Sequence, residues 1–117
     1  MELLFSEGVI KKRISPNKFV EITSANAAKI FGLFPKKGAI AAGSDADLVI
    51  FDPGKEHVIS SSTHHHHCDY SIYEGWKVTG KVSSVIMRGR LAIDNDVIEI
   101  EKGYGKFLKR GLPEMAG

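Results

Sequence analysis

The chain has 117 residues, 43% hydrophobic and 26% charged, with a formal net charge of +2. Such a composition suits one globular domain, or a piece of one, with a modest core. The small charge gives no field for holding nucleic acid or a membrane surface, and no run approaches the roughly 18 apolar residues of a membrane span.

The opening "MELLFSEGVIKKR" sets its basic residues after the apolar ones, the reverse of a secretory signal. A single cysteine, Cys68, excludes an intrachain disulfide and fits a reducing compartment. A soluble, cytoplasmic protein is the expectation. Glu2 to Ile10 reads as a short apolar helix interrupted by Gly8, and Lys11 to Arg13 as a solvated turn. Ser15 before Pro16 suits an N-cap with proline at the first helical position. In "SPNKFVEITSANAAKIFG" the apolar residues shift phase near Thr23–Ser24. Two short helices meeting there are expected, with Ser24 capping the second, Gly32 as the stop and Pro35 beyond it.

After Pro35 the chain changes character. "KKGAIAAGSDAD" is rich in turn formers, and Ala46 to Phe51 is an apolar run closed by "DPG", which predicts a buried strand. "EHVIS" predicts a second short strand. A meander of "KVTGKV", "SSVIMRG", "RLAID" and "DVIEI" follows, turning at Arg88–Gly89 and at Asp94–Asn95–Asp96. Helices in front and a few strands behind make an α+β chain whose sheet edges want a partner.

The stretch "SSSTHHHHCDY" concentrates four of the five histidines beside the one cysteine. Neighbouring side chains of an extended segment point to opposite faces, so at most two of the four can grip one ion. Cys68 adds a soft donor, but no second cluster stands at zinc-finger spacing. A polar surface loop is the reading adopted. His64, His66 and Cys68 are kept as the set able to bind a metal adventitiously, and no residue is assigned to catalysis or to substrate. Asp45 and Asp47 sit in a glycine turn, where aspartates cap backbone amides. His57 is expected to face solvent. Ser60 to Ser62 lack a base and an orienting group. Trp76 and Tyr73 read as packing anchors.

"SANAAKIFGLFPKKGAIAAGSDADLVIFDP", "DYSIYEGWKVTGKVSSVIMRG" and "GYGKFLKR" together resemble the carboxy-terminal part of dihydropyrimidinases and D-hydantoinases, members of the amidohydrolase superfamily. The resemblance runs from about Glu2 to Arg110. It implies terminal helices of a (β/α)₈ barrel over residues 1–34, carboxy-terminal strands of a β-sandwich over 38–101, and a tail over 102–117. Trp76 and Tyr73 would then lie at the barrel–sandwich seam, and Lys106, Lys109 and Arg110 would face a neighbouring subunit of a homo-oligomer. It also implies ring-opening hydrolysis of cyclic amides by a binuclear zinc centre. The family's His-x-His pair, carboxylated lysine, later histidines and aspartate match no position here. "HHHH" imitates the first of these only in spacing, because it follows the strand that leads into the sandwich region.

The resemblance therefore implies an incomplete composite domain, with no cofactor of its own, whose partner is the remainder of the enzyme. The chain by itself is expected to be inactive. Collapsin response mediator proteins share much of the pattern, so a non-catalytic interaction module is the alternative. A small metal-binding protein built on "HHHHC" is a third reading. Apolar residues such as Leu3, Phe19, Ile30 and Phe31 are expected to be bare. That predicts self-association through strand exchange or edge pairing, or helices folded onto the sheet in an arrangement foreign to the family.

Overall fold

A computed structural model describes residues 1–65 and 67–115. Its architecture is α+β: two helical segments, then a four-stranded antiparallel meander in the order β1-β2-β3-β4.

The first helix, α1 (residues 2–10), begins as an α-turn at Glu2–Leu4 and widens into a π-helical stretch at Phe5–Ile10. Gly8 does not interrupt it. The following turn folds back so that Arg13 and Ile14 both donate to the Gly8 carbonyl, at 2.8 and 3.1 Å. A Cβ on Gly8 would come within 3.0 Å of the Ile14 side chain, so this position needs glycine for space.

The second helix, α2 (residues 16–30), starts as its sequence predicts, with the Ser15 hydroxyl accepting from the Lys18 amide at 3.1 Å and Pro16 in the first turn. It does not break at Thr23–Ser24. Its middle, Glu21–Ala25, is π-helical, and the chain passes through Ala25 and Asn26 in ordinary helical conformation. A π-turn adds one residue, which shifts the apolar phase without ending the helix. Ser24 caps nothing. The Thr23 hydroxyl donates to the Phe19 carbonyl at 2.8 Å instead. Gly32 ends the helix at φ 66°, with Leu33 donating to Ala28 and Gly32 to Lys29, a Schellman pattern.

The strands are β1 (Leu48–Val58), β2 (Lys77–Met87), β3 (Arg90–Asp94) and β4 (Val97–Ile98). The two expected strands around "DPG" are one strand, and "KVTGKV" with "SSVIMRG" is another. Pro53 and Gly54 do not end β1, because the irregularity is absorbed as a register slip between Asp52 and Glu56 while the Gly54 amide turns to the Asp52 carboxylate at 2.9 Å. "DVIEI" pairs only at Val97–Ile98. Both hairpins turn where expected, on pairs with positive φ: Arg88–Gly89 at 46° and 79°, and Asn95–Asp96 at 45° and 68°.

Where the helices meet the sheet, Phe5, Phe19 and Phe51 form an aromatic cluster, with ring centroids 4.7 Å apart for Phe5–Phe51 and 5.4 Å for Phe5–Phe19. The cluster lies over Gly80, whose φ is 104° and whose missing Cβ would sit 2.6 Å from Phe5 and 2.7 Å from Phe51. Phe19 is thus buried rather than bare, and Leu3 is half-buried, whereas Ile30 and Phe31 are exposed. Among the described residues no helix is long and apolar enough to cross a membrane.

Candidate functional site

The histidine run belongs to a loop of residues 59–76 whose ends are tied together. Ile59 donates to the Trp76 carbonyl and Gly75 donates to the Ile59 carbonyl, both at 2.9 Å. Inside it, Ser60 caps a 3₁₀ turn at Ser61–Thr63 by accepting from the Ser62 amide at 3.3 Å. Thr63 returns its hydroxyl to the Ser60 carbonyl at 3.0 Å, and the Ser61 hydroxyl donates to Asp69 at 3.2 Å. The Ser61 amide donates to the Glu74 carboxylate at 2.7 Å. Hydrogen bonding from the Ser60 hydroxyl, then from the Ser61 amide, holds Glu74 below the usual carboxylate range. These serines are spent on holding the loop.

His64, His65, His67 and Cys68 are exposed, while His66 lies outside the described residues. Among the described residues no three or more His, Cys, Asp or Glu side chains are placed to hold a metal ion. The donors here do not fit a binuclear zinc centre. Tyr73 and Trp76 pack edge to face at 5.7 Å and are both partly exposed.

Three clusters that sequence reasoning passed over are more tightly organised. The first ties α1 to the sheet. The Glu2 carboxylate accepts from the Val82 amide through Oε1 and meets His57 Nε2 through Oε2, both at 3.0 Å. One turn on, the Ser6 hydroxyl accepts from the Thr79 amide at 3.1 Å. β3 pairs only with the Ser84–Met87 end of β2, so these two side chains serve amides on the stretch of β2 that β3 leaves uncovered. His57 is not solvent-facing. Its side chain is 20% exposed because Glu2 draws the ring under the helix.

In the second cluster Lys37 lies between Asp45, at 2.9 Å, and Asp47. Asp47 also accepts from the Arg88 amide at 2.8 Å, so the amide-capping reading holds for this residue. Burial pushes the Asp47 carboxyl up, but the Lys37 ammonium and the Arg88 amide outweigh it and hold the group below its ordinary value. Lys37 is itself pushed down by burial and up, by a larger total, through its two aspartates. The aspartates are neutralised partners of one cation. They are no acid–base pair.

The third cluster ties the tail to the β2–β3 hairpin. The Arg88 guanidinium stacks 4.1 Å from the Tyr104 ring centre, Arg90 lies at 5.0 Å, and the Tyr104 hydroxyl donates to the Met87 carbonyl at 3.2 Å. Arg90 also grips Glu101 with two hydrogen bonds, at 2.8 and 3.0 Å. Further along, Gly111 donates to Gly32 at 2.7 Å and Glu114 to Lys29 at 3.0 Å, laying the tail against the end of α2. Lys106, Lys109 and Arg110 are exposed. The two main recesses are open grooves of about 270 Å³, lined by Thr23, Ala27, Phe31 and Lys37, and about 380 Å³, lined by His57, Lys77 and Thr79. Neither brings together a nucleophile, a base and an oxyanion donor.

The weight of the molecule therefore lies in joints between elements, and the comparisons agree. Residues 4–92 match the amidohydrolase family model. The chain is 54% identical to a D-hydantoinase of Geobacillus stearothermophilus over 94% of its own length but 23% of that protein's. It is 44% identical to a dihydropyrimidinase of Rattus norvegicus over 94% of this chain and 21% of that one. A crystal structure of dihydropyrimidinase from Brevibacillus agri superposes with a TM-score of 0.93 at 48% identity, covering 97% of this chain and 25% of that chain. Helices and sheet are therefore arranged as in these relatives, and the foreign arrangement considered above does not occur. The chain spans about a quarter of the length of the relatives it matches, and it belongs to the amidohydrolase family.

Proposed function

We propose that this chain is the carboxy-terminal part of a hydantoinase- or dihydropyrimidinase-type hydrolase that opens cyclic amides. The observation that carries the reading is agreement of sequence and fold with such enzymes along nearly the whole chain, at 54% identity and a TM-score of 0.93. In this reading residues 1–34 are terminal barrel helices, 38–101 carboxy-terminal sandwich strands and 102–117 a tail. The exposed Ile30 and Phe31 meet the barrel, Tyr73 and Trp76 lie at its seam with the sandwich, and the basic tail faces another subunit of a cytoplasmic homo-oligomer. The remainder of the enzyme supplies the barrel, the other sandwich strands and a binuclear zinc centre. Residues of this chain hold none of that centre, so no chemical step is derived through it. The relatives reported above are hydrolases by name, which leaves the non-catalytic module without an observation in its favour.

A chimera tests this reading. This chain replaces the matched quarter of the Geobacillus stearothermophilus D-hydantoinase, and hydantoin hydrolysis is measured. Hydrolysis near the parental rate is expected. A folded, zinc-loaded chimera without activity overturns the assignment. The isolated chain is expected to show no turnover with added zinc, and turnover abolished by His64→Ala would contradict that.

A further inference from the structure

Val49 stands opposite Val85, Val85 opposite Ile93, and Ile93 opposite Ile98. Directly paired residues share a face of the sheet, so these four form one aliphatic row across all four strands. Val85 and Ile93 are half-buried, while Val49 and Ile98 are 45% and 55% exposed. The helices pack around Gly80 and Val82 on β2, and among the described residues no helix packs more than marginally on β3 or β4.

Two further observations say how such a row is covered. A folded monomer of 12.8 kDa exposes roughly 6,300 Å². This chain exposes 8391 Å², an excess of roughly 2,100 Å² over that expectation. A standard interface takes about 800 Å² from each partner, so the excess exceeds what a stable dimer needs. The sheet edges, however, are poor places to join. Pro53 has no N–H, the Gly54 amide is turned to Asp52, Lys55 and a register slip follow, and β4 is two residues long. Faces remain where edges are guarded.

We propose that two copies of this chain pack face to face through the Val49–Val85–Ile93–Ile98 row about a two-fold axis. A row of uncharged residues is self-complementary under that symmetry. The two sheets then make between them the sandwich that hydantoinase-type enzymes are read here as building within one polypeptide. The inference rests on the reading of this sheet as half a sandwich.

Light scattering of the isolated 117-residue chain provides the test, with Val49→Lys and Ile98→Lys as row variants and Leu112→Lys as a control on the tail, which supplies part of the excess area. A dimer is expected for the wild type and for Leu112→Lys. Each row lysine should weaken dimerisation by roughly a hundredfold or more while the circular dichroism spectrum stays unchanged. A monomeric wild type, a dimer that survives both row variants, or one lost with Leu112→Lys overturns the proposal. An active chimera beside a monomeric chain overturns the dimer alone. An inactive one strikes the half-sandwich reading itself.

Discussion

The joint between α1 and the sheet and the loop over residues 59–76 differ in the opposite sense to their sequences. The loop carries the chemically suggestive residues, yet its serines, threonine and glutamate close on one another and its histidines stand in water. The joint is written in plain letters: two glutamates, a serine, a glycine and three phenylalanines. Two of its side chains nonetheless serve backbone amides of β2, and its glycine admits two rings at distances that no Cβ would tolerate. Residue chemistry alone does not locate importance. Uncompensated backbone groups and closed space do.

The sharpest way to break this contrast is Gly80→Ala. The substitution brings a Cβ to 2.6 Å from Phe5 at a φ of 104°. Overpacking and backbone strain together are expected to cost about 3 kcal/mol. Urea unfolding measures it, and a midpoint equal to wild type would show that the rings move aside freely.

Ser6→Ala follows in size. It leaves the Thr79 N–H without its side-chain acceptor, at an expected cost of about 1–2 kcal/mol. Hydrogen exchange sharpens the point, because Thr79 should exchange faster while Ile86 on the same strand does not. Equal acceleration at both positions would mean general loosening and not a lost local acceptor.

The Lys37–Asp47 joint predicts a pH signature. The folded carboxyl of Asp47 lies below its ordinary value of 3.8. Its contribution is therefore complete above that value and is lost as pH falls through the lower folded value. Acid unfolding of Asp47→Asn should be less steep below pH ~4 than that of wild type. Superimposable acid limbs would remove Asp47 from the account.

Replacing His64, His65 and His67 together by alanine should change stability least, by under about 0.5 kcal/mol. A larger loss, read in the same urea experiment, would erase the difference between loop and joint.

Much of the local structure was legible in the sequence because its causes are local. Ser15–Pro16 starts α2, Gly32 ends it, and the turns at Arg88–Gly89 and Asn95–Asp96 follow from short-range backbone preference. The family was legible as well, since "NAAKIFGL", "GSDADLVIFDP" and "YEGWKVTG" each preserve a whole local element. The π-turns were misread as breaks, because one added residue and a helix end disturb the apolar phase alike. Pro53 and Gly54 looked like the end of a strand because a bulge uses the same residues as a turn. The bonds from Glu2 to Val82 and from Ser6 to Thr79 join residues more than seventy positions apart. Neither partner's neighbours in the chain carry any trace of the other. The same holds for His57, Phe19 and Gly80: local preference reaches only a few residues, and burial is decided by what the rest of the chain brings alongside.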